Sequence, residues 1–144
     1  MNDKDVSMLI VDDDEPTRNG MIALLGLAYS CIAAANAEEA MRLLAARSFK
    51  LVVTDIHMPG ASGLELCRFV HKLCPNTVVI VVSGMTDIRY QIEALRQGSL
   101  YYIEKPIEPE KLFALVESAL KCQALSEAKH HNARSTNSLR ARAS

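Results

Sequence analysis

The sequence predicts an α/β protein built on an open parallel sheet. Three apolar runs, at residues 8–11, 51–53 and 77–82, are rich in β-branched or aliphatic residues and contain no alternating polar positions. Strands of that composition are buried on both faces, as strands of parallel sheets are. Segments with helical signals separate the runs, and this alternation predicts helices on both faces of the sheet. The 144 residues suit one domain.

Helix signals follow the first apolar run. Pro16 comes after two acidic residues and opens a helix that reaches about Leu27, because proline fits the first helical turn. Cys31–Ala35 is a weaker strand candidate. Asn36 precedes Glu39 by three residues, which is the spacing of a capping box, so a second helix begins there.

The middle of the chain predicts two more helices around the strand at residues 77–82. Gly63–Leu73 carries apolar residues at helical spacing, and Pro75 ends that helix. Asp87 can cap the next helix, which ends at Gly98. The residues expected to face inward from it are Ile88, Ile92 and Leu95.

The chain then predicts a last strand, a last helix and a polar tail. Leu100–Glu104 is the second weak strand candidate, and Pro109 opens the final helix. The apolar stripe of that helix consists of Leu112, Leu115, Val116, Ala119 and Leu120. The domain is expected to occupy residues 1–123, and residues 124–144 form a basic polar tail or a helix extension. The resulting order is βαβαβαβαβα.

Composition and charge argue against a membrane protein, an exported protein and a nucleic-acid-binding protein. Hydrophobic residues make up 49% of the chain, but its apolar runs, such as Val78–Val82, are far too short to span a membrane. The polar N-terminus carries no export signal, so we expect a cytoplasmic protein with reduced thiols. Residues 1–120 hold 11 basic and 16 acidic residues, whereas residues 121–144 hold five basic residues and one acidic residue. This distribution does not indicate direct nucleic-acid binding.

Polar residues follow the predicted strands at the points where the strands end. Asp12–Asp14 follow the first strand and Asp55 the third, while Ser83 and Lys105 follow the fourth and fifth. The carboxyl ends of parallel strands lie at one edge of the sheet, where such proteins bind ligands. We therefore expect these side chains to form one site.

Adjacent carboxylates repel one another unless a cation lies between them. Mg²⁺ suits such a site, because it binds one or two carboxylates, keeps waters and shares its coordination shell with phosphate. A carboxylate such as that of Asp55 can also attack phosphorus and form an acyl phosphate. The metal, Lys105 and Ser83 would supply the charge neutralisation that phosphoryl transfer requires.

At these positions the sequence resembles the receiver domain of bacterial two-component response regulators. The matching stretches are LIVDDDEPTR, LVVTDIHMPGASGLE, VVIVVSGM and YYIEKPIEPEKL, and the resemblance covers roughly residues 6–123. It implies a flavodoxin-like, doubly wound fold with five parallel strands in the order 2-1-3-4-5 and five helices.

The resemblance also implies roles for the acidic residues. Asp55 corresponds to the phosphoacceptor, which takes a phosphoryl group from a sensor histidine kinase or a histidine phosphotransfer protein. Asp12 and Asp13 correspond to the acidic pair that holds Mg²⁺, with Asp14 opening the loop to the helix. The backbone carbonyl of His57 corresponds to a further metal ligand.

Three further positions correspond to the machinery that responds to phosphorylation. Ser83 matches the switch hydroxyl and Lys105 the lysine of the site, with a cis peptide implied before Pro106. Tyr102 matches the aromatic residue that turns inward on activation. The surface expected to change is that of helix 4, strand 5 and helix 5, which controls a partner.

The sequence leaves several alternatives open. The chain is a stand-alone receiver or the N-terminal receiver of a longer regulator with an output domain. A degenerate receiver would only bind partners. A phosphohydrolase with an Asp55 nucleophile would carry a second aspartate two residues later, where His57 stands. Beyond self-catalysed phosphotransfer and autodephosphorylation, no enzyme activity is expected.

Overall fold

A computed structural model describes residues 7–84, 88–99 and 101–125 of the chain. Its five strands pair in parallel in the order β2-β1-β3-β4-β5, which confirms the predicted fold class. The strands are β1 (Ser7–Val11), β2 (Ser30–Ala34), β3 (Leu51–Asp55), β4 (Val78–Ser83) and β5 (Tyr101–Glu104). The helices are α1 (Glu15–Leu25), α2 (Ala37–Ala46), α3 (Gly63–Leu73), α4 (Ile88–Arg96) and α5, described over residues 109–125.

Two apolar clusters cover the two faces of the sheet, because successive strand residues point to opposite sides. Leu9 and Val52 belong to the cluster on the α2 and α3 face. Ile10 and Val53 belong to the cluster on the α1 and α5 face. All five residues of β3 are buried, since this strand lies in the middle of the sheet. The uninterrupted apolar runs in the sequence therefore reflect burial on both faces.

The capping box predicted at Asn36 is confirmed. The Asn36 side chain accepts a hydrogen bond from the Glu39 backbone N–H at 2.8 Å, as a capping box requires. The Glu39 carboxylate reaches the N–H of Ala35, at 3.1 Å, one residue before the cap. Helix α1 ends at Leu25, two residues before the predicted end.

The prediction that Ile88, Ile92 and Leu95 face inward is wrong. These side chains are 65%, 49% and 54% exposed, whereas Ala94 is fully buried. The opposite side of α4, with Tyr90 and Ala94, packs on the α2 and α3 face of the sheet. Apolar spacing shows that a helix has an apolar face but does not show that the sheet covers that face.

Some predictions lie outside the described residues. The proposed cap Asp87, the first residue of the last predicted strand, Leu100, and residues 126–144 belong to this group. Among the helices of the described ranges, none is long and apolar enough to cross a membrane.

Candidate functional site

The predicted polar residues lie at one edge of the sheet, at the carboxyl ends of the strands. Asp12 directly follows β1, and Asp55 and Ser83 are the last residues of β3 and β4. Lys105 follows β5 and donates its backbone N–H to the carbonyl of Ser83 at 2.9 Å. Asp12, Asp55 and Ser83 are buried.

The ammonium group of Lys105 bridges two carboxylates. Its Nζ lies 3.2 Å from Asp12 Oδ2 and 3.2 Å from Asp55 Oδ2. Burial by itself would lower the pKa of Lys105, but Asp55 and Asp12 raise it above its usual value. Burial raises the pKa of Asp55 above its usual value. The charge of Lys105 lowers this pKa, and the charge of Asp12 raises it further. Lys105 therefore stays charged. Its charge offsets only part of the cost of burying the ionised Asp55 carboxylate.

Asp13 completes a cluster of three carboxylates with Asp12 and Asp55. Each of the three offers an oxygen, and these oxygens all lie within 4.8 Å of one another. Asp13 is exposed, so one side of the cluster is open to water. Oxygen donors with an open side fit Mg²⁺, which retains several waters when it binds to proteins. One lysine cannot neutralise three carboxylates, and a divalent cation would remove the remaining repulsion.

Asp14 is the third acidic residue of the run, and its side chain is used differently. Its carboxylate caps α1 by accepting the backbone N–H of Thr17 at 3.1 Å, and the Thr17 hydroxyl also donates to it. These hydrogen bonds hold the pKa of Asp14 below its usual value. Its own backbone N–H donates to Asp12 Oδ1 at 2.9 Å. The structure thus separates a helix cap from the two acidic residues beside Asp55.

Close packing fixes the backbone around Asp55. The Ile56 N–H donates to Asp55 Oδ1 at 2.8 Å, and the Thr54 hydroxyl donates to the Asp55 carbonyl at 2.9 Å. Gly63, at the start of α3, lies so close that a Cβ there would be 2.0 Å from the Asp55 carbonyl oxygen. Sequence reasoning missed this role of Gly63. The sequence does carry one signal for this contact, because a glycine in the first turn of a helix indicates that another backbone segment lies close to it.

Arg18 was also missed. Its Nη1 donates to the backbone carbonyl of Asp12 at 2.8 Å, so α1 holds the end of β1 in place. The residue lies one turn into an amphipathic helix, where arginine is common. Its spacing from Asp12 therefore carried no distinguishing signal.

The remaining predicted residues lie on the elements that follow β3 and β4. His57 is exposed, and its ring makes an edge contact with Tyr90 of α4, with centroids 5.0 Å apart. Tyr102 is half-buried on β5 and packs against the core on the α2 and α3 face. The peptide bond between Lys105 and Pro106 is cis, as the resemblance implied.

Residues 8–117 match the family model of the response regulator receiver domain. This chain belongs to that family. The hydrogenase transcriptional regulatory protein HoxA of Cupriavidus necator is 32% identical over 131 residues, which cover 90% of this chain and 27% of HoxA. The transcriptional regulatory protein FixJ of Bradyrhizobium diazoefficiens is 31% identical over 113 residues, which cover 78% of this chain and 55% of FixJ.

Solved receiver structures share the fold. The CheY-like response regulator receiver domain protein of Methanospirillum hungatei JF-1 is 30% identical, with a TM-score of 0.81. The match covers 84% of this chain and 98% of that chain. By contrast, the match to this chain spans about a quarter of the length of HoxA and about half of that of FixJ. Receiver domains are phosphoacceptors that bind Mg²⁺ at an acidic pocket, are phosphorylated by histidine kinases and control output domains.

Proposed function

We propose that Asp55 accepts a phosphoryl group from the histidine of a sensor kinase or phosphotransfer protein. The observation that carries this proposal is the position of Lys105 Nζ, 3.2 Å from both Asp12 and Asp55, within a cluster of three carboxylates. A carboxylate oxygen of Asp55 attacks phosphorus, the P–N bond to the imidazole breaks, and the imidazole nitrogen takes a proton. Positioning and charge neutralisation supply most of the catalysis.

Asp12, Asp13, Asp55 and the backbone carbonyl of His57 are the residues that would hold Mg²⁺. When bound, the ion would neutralise charge on the phosphoryl oxygens during transfer. The exposed Asp13 leaves the approach to Asp55 open, so a donor protein can present its phosphohistidine from that side. The burial of Asp12 and Asp55 keeps the electrostatic interactions between these groups strong.

Lys105 and Ser83 serve the phosphorylated state in this proposal. Lys105 pairs with the Asp55 carboxylate in the free protein. Once Asp55 is phosphorylated, its carboxylate no longer carries the negative charge, which lies on the phosphoryl oxygens instead, and the ammonium group can move toward those oxygens. Ser83 ends the neighbouring strand, and its hydroxyl can donate to the same oxygens.

We propose that this rearrangement switches the surface formed by α4, β5 and α5. Movement of Ser83 toward the phosphoryl group leaves space that Tyr102 can fill by turning inward. The contacts of the phosphoryl group with Ser83 and Lys105 must differ between the two states for the equilibrium to shift. The exposed apolar side chains of α4 support a partner surface there, formed by Ile88, Ile92 and Leu95.

Intact-mass measurement tests the phosphoacceptor. With acetyl phosphate and Mg²⁺, the protein should gain the mass of one phosphoryl group, and the Asp55→Ala variant should gain none. An equal rate of gain in the variant would refute the assignment. No gain in either protein would favour a degenerate receiver that only binds partners. Repeated turnover of a phosphoester substrate would instead indicate a phosphohydrolase.

The switch has a separate test. The Ser83→Ala variant should still accept a phosphoryl group but should transmit less of the change to Tyr102 and its neighbours. Beryllofluoride mimics the acyl phosphate, and its addition should shift backbone amide resonances between Ile88 and Leu120. These shifts should be smaller in Ser83→Ala than in the parent. Shifts of equal size and direction would require another route between the site and this surface.

The remaining parts of the proposal concern the chain as a whole. We propose that residues 1–123 form the receiver, that residues 124–144 form a basic tail or helix extension, and that the protein is cytoplasmic. The family match over residues 8–117 supports the first part. No activity is proposed beyond self-catalysed phosphotransfer and autodephosphorylation. The partner is a downstream protein or an output domain, and limited proteolysis of the natural polypeptide would define the domain's limits.

A further inference from the structure

Glu38 connects α2 to the loop of residues 56–62, which lies between Asp55 and α3. The Ala61 backbone N–H donates to Glu38 Oε1 at 2.8 Å, across a sequence separation of 23 residues. Glu38 lies in the first turn of α2, which begins just past the carboxyl end of β2, but it is not one of the residues of the site. The contact therefore joins an element outside the site to a loop that belongs to it.

The shape of this loop fits the Glu38 carboxylate. Gly60 has a φ of +83°, and a Cβ at this position would lie 2.6 Å from Glu38 Oε1. The backbone conformation therefore favours glycine here, and a side chain at this position would displace the Glu38 carboxylate from the loop. At the base of the loop, the Gly63 N–H donates to the Ile56 carbonyl at 2.8 Å. His57 lies between these two attachments.

Glu38 is not a core residue. Its side chain is exposed, so removing it takes nothing from the two apolar clusters. The hydrogen bond from Ala61 holds the pKa of the Glu38 carboxyl below its usual value. The neighbouring Glu39 uses its carboxylate on Ala35, in the cap of α2 itself. Two adjacent glutamates therefore have separate structural tasks.

We propose that Glu38 is a positioning residue for the metal site. Its carboxylate holds the loop in the conformation in which the His57 carbonyl can coordinate Mg²⁺. This inference rests on the proposed function. Mg²⁺ requires near-ideal octahedral geometry, so a ligand on a loosened loop binds it less well. Without the Glu38 contact, the loop loses the attachment at Ala61 and opens more readily.

Three variants at adjacent positions test the proposal. Glu38→Ala removes the acceptor for Ala61, and Glu39→Ala removes the same charge but alters only the cap of α2. Glu38→Gln keeps an oxygen acceptor without the charge. Mg²⁺ affinity is measured by amide chemical-shift titration, since the chain has no tryptophan to report binding by fluorescence.

We expect Glu38→Ala to bind Mg²⁺ about tenfold more weakly than the parent, the lower end of the effect of contacts that orient metal ligands. Glu39→Ala should unfold at lower denaturant concentration yet bind Mg²⁺ within about twofold of the parent. Glu38→Gln should recover most of the affinity. In the metal-free protein, the Ala61 amide should exchange with solvent faster in Glu38→Ala than in Glu38→Gln.

The outcomes separate this inference from the proposed function. If the parent binds no Mg²⁺, the metal site itself is wrong. If the parent binds but Glu38→Ala binds equally well, the positioning role of Glu38 is refuted. If Glu39→Ala loses as much affinity as Glu38→Ala, the effect belongs to net charge or to the α2 terminus, which also refutes it.

Discussion

Replacing Gly63 with alanine should damage both the fold and the site, although alanine usually favours a helix. The added Cβ would lie 2.0 Å from the Asp55 carbonyl oxygen and 2.9 Å from the Ile56 Cα. The first separation must grow by about 1.4 Å before it becomes an ordinary van der Waals contact. Both neighbours are backbone atoms, so no side chain can rotate away, and α3 must move relative to β3.

The structure sets the sign and the size of the effect. Overpacking of this kind costs about 1–3 kcal/mol, and the better helix propensity of alanine returns at most about 1 kcal/mol. We therefore expect Gly63→Ala to lower the free energy of unfolding by about 2 kcal/mol. Gly20 is the matched control, because it is an exposed residue within α1 with nothing within 4 Å of its Cβ position. Gly20→Ala should stabilise the protein by about 0.5–1 kcal/mol.

Urea unfolding measures both variants. With a slope of about 2 kcal/mol per M, the midpoint of Gly63→Ala should fall by about 1 M, and that of Gly20→Ala should rise slightly. Under folding conditions, Gly63→Ala should also accept phosphoryl groups from acetyl phosphate more slowly, because the Asp55 backbone is displaced. A Gly63→Ala midpoint at or above that of the parent would refute the close packing of α3 on Asp55. Equal losses in both variants would show a general effect of the substitution.

Three other predictions follow from the site and the core. Burial raises the pKa of Asp55, so the ionised carboxylate destabilises the folded protein, and Asp55→Asn should be more stable than the parent at neutral pH. This difference in stability should vanish below about pH 4, where the carboxyl is protonated in both the folded and the unfolded state. Urea midpoints across this pH range measure the difference, and a difference of equal size at all pH values would contradict the prediction. Asp13→Asn should weaken Mg²⁺ binding about tenfold, whereas Asp14→Asn, which keeps a helix-capping side chain, should change it by less than about twofold, as chemical-shift titration measures. Burial raises the pKa of the Cys67 thiol to about 12, so a thiol reagent at pH 8 should modify the exposed Cys122 and leave Cys67 unmodified until the protein unfolds, which peptide mapping detects.

The elements that could be predicted from sequence are those whose signals are local. The strand runs at residues 8–11 and 51–53 are apolar because they lie in the middle of the sheet, so their burial is visible in their composition. Asn36 and Pro16 mark helix starts through hydrogen bonds and backbone angles that involve only nearby residues. The weak strand Cys31–Ala35 carries a poorer signal because β2 is an edge strand, and most of its residues are only partly buried.

The orientation of α4 could not be predicted in the same way. Ile88, Ile92 and Leu95 lie along one face of the helix, and their spacing satisfies the rule for a helix packed on a core. The rule cannot distinguish a face that packs on the sheet from one that a partner would cover. That distinction depends on how the chain places α4 beside α3 and β5, where the side with Tyr90 and Ala94 meets the core.

By itself, the sequence determined the α/β class, the placement of acidic residues after β1 and β3, and the chemistry that such residues can perform. Those properties depend on residue types and on spacing along the chain. Only the tertiary structure decided that Lys105 bridges Asp12 and Asp55, because their separations of 93 and 50 residues carry no distance information. It likewise decided that Gly63 packs on Asp55 and that α4 turns its apolar stripe outward, because both depend on how separate elements pack against each other.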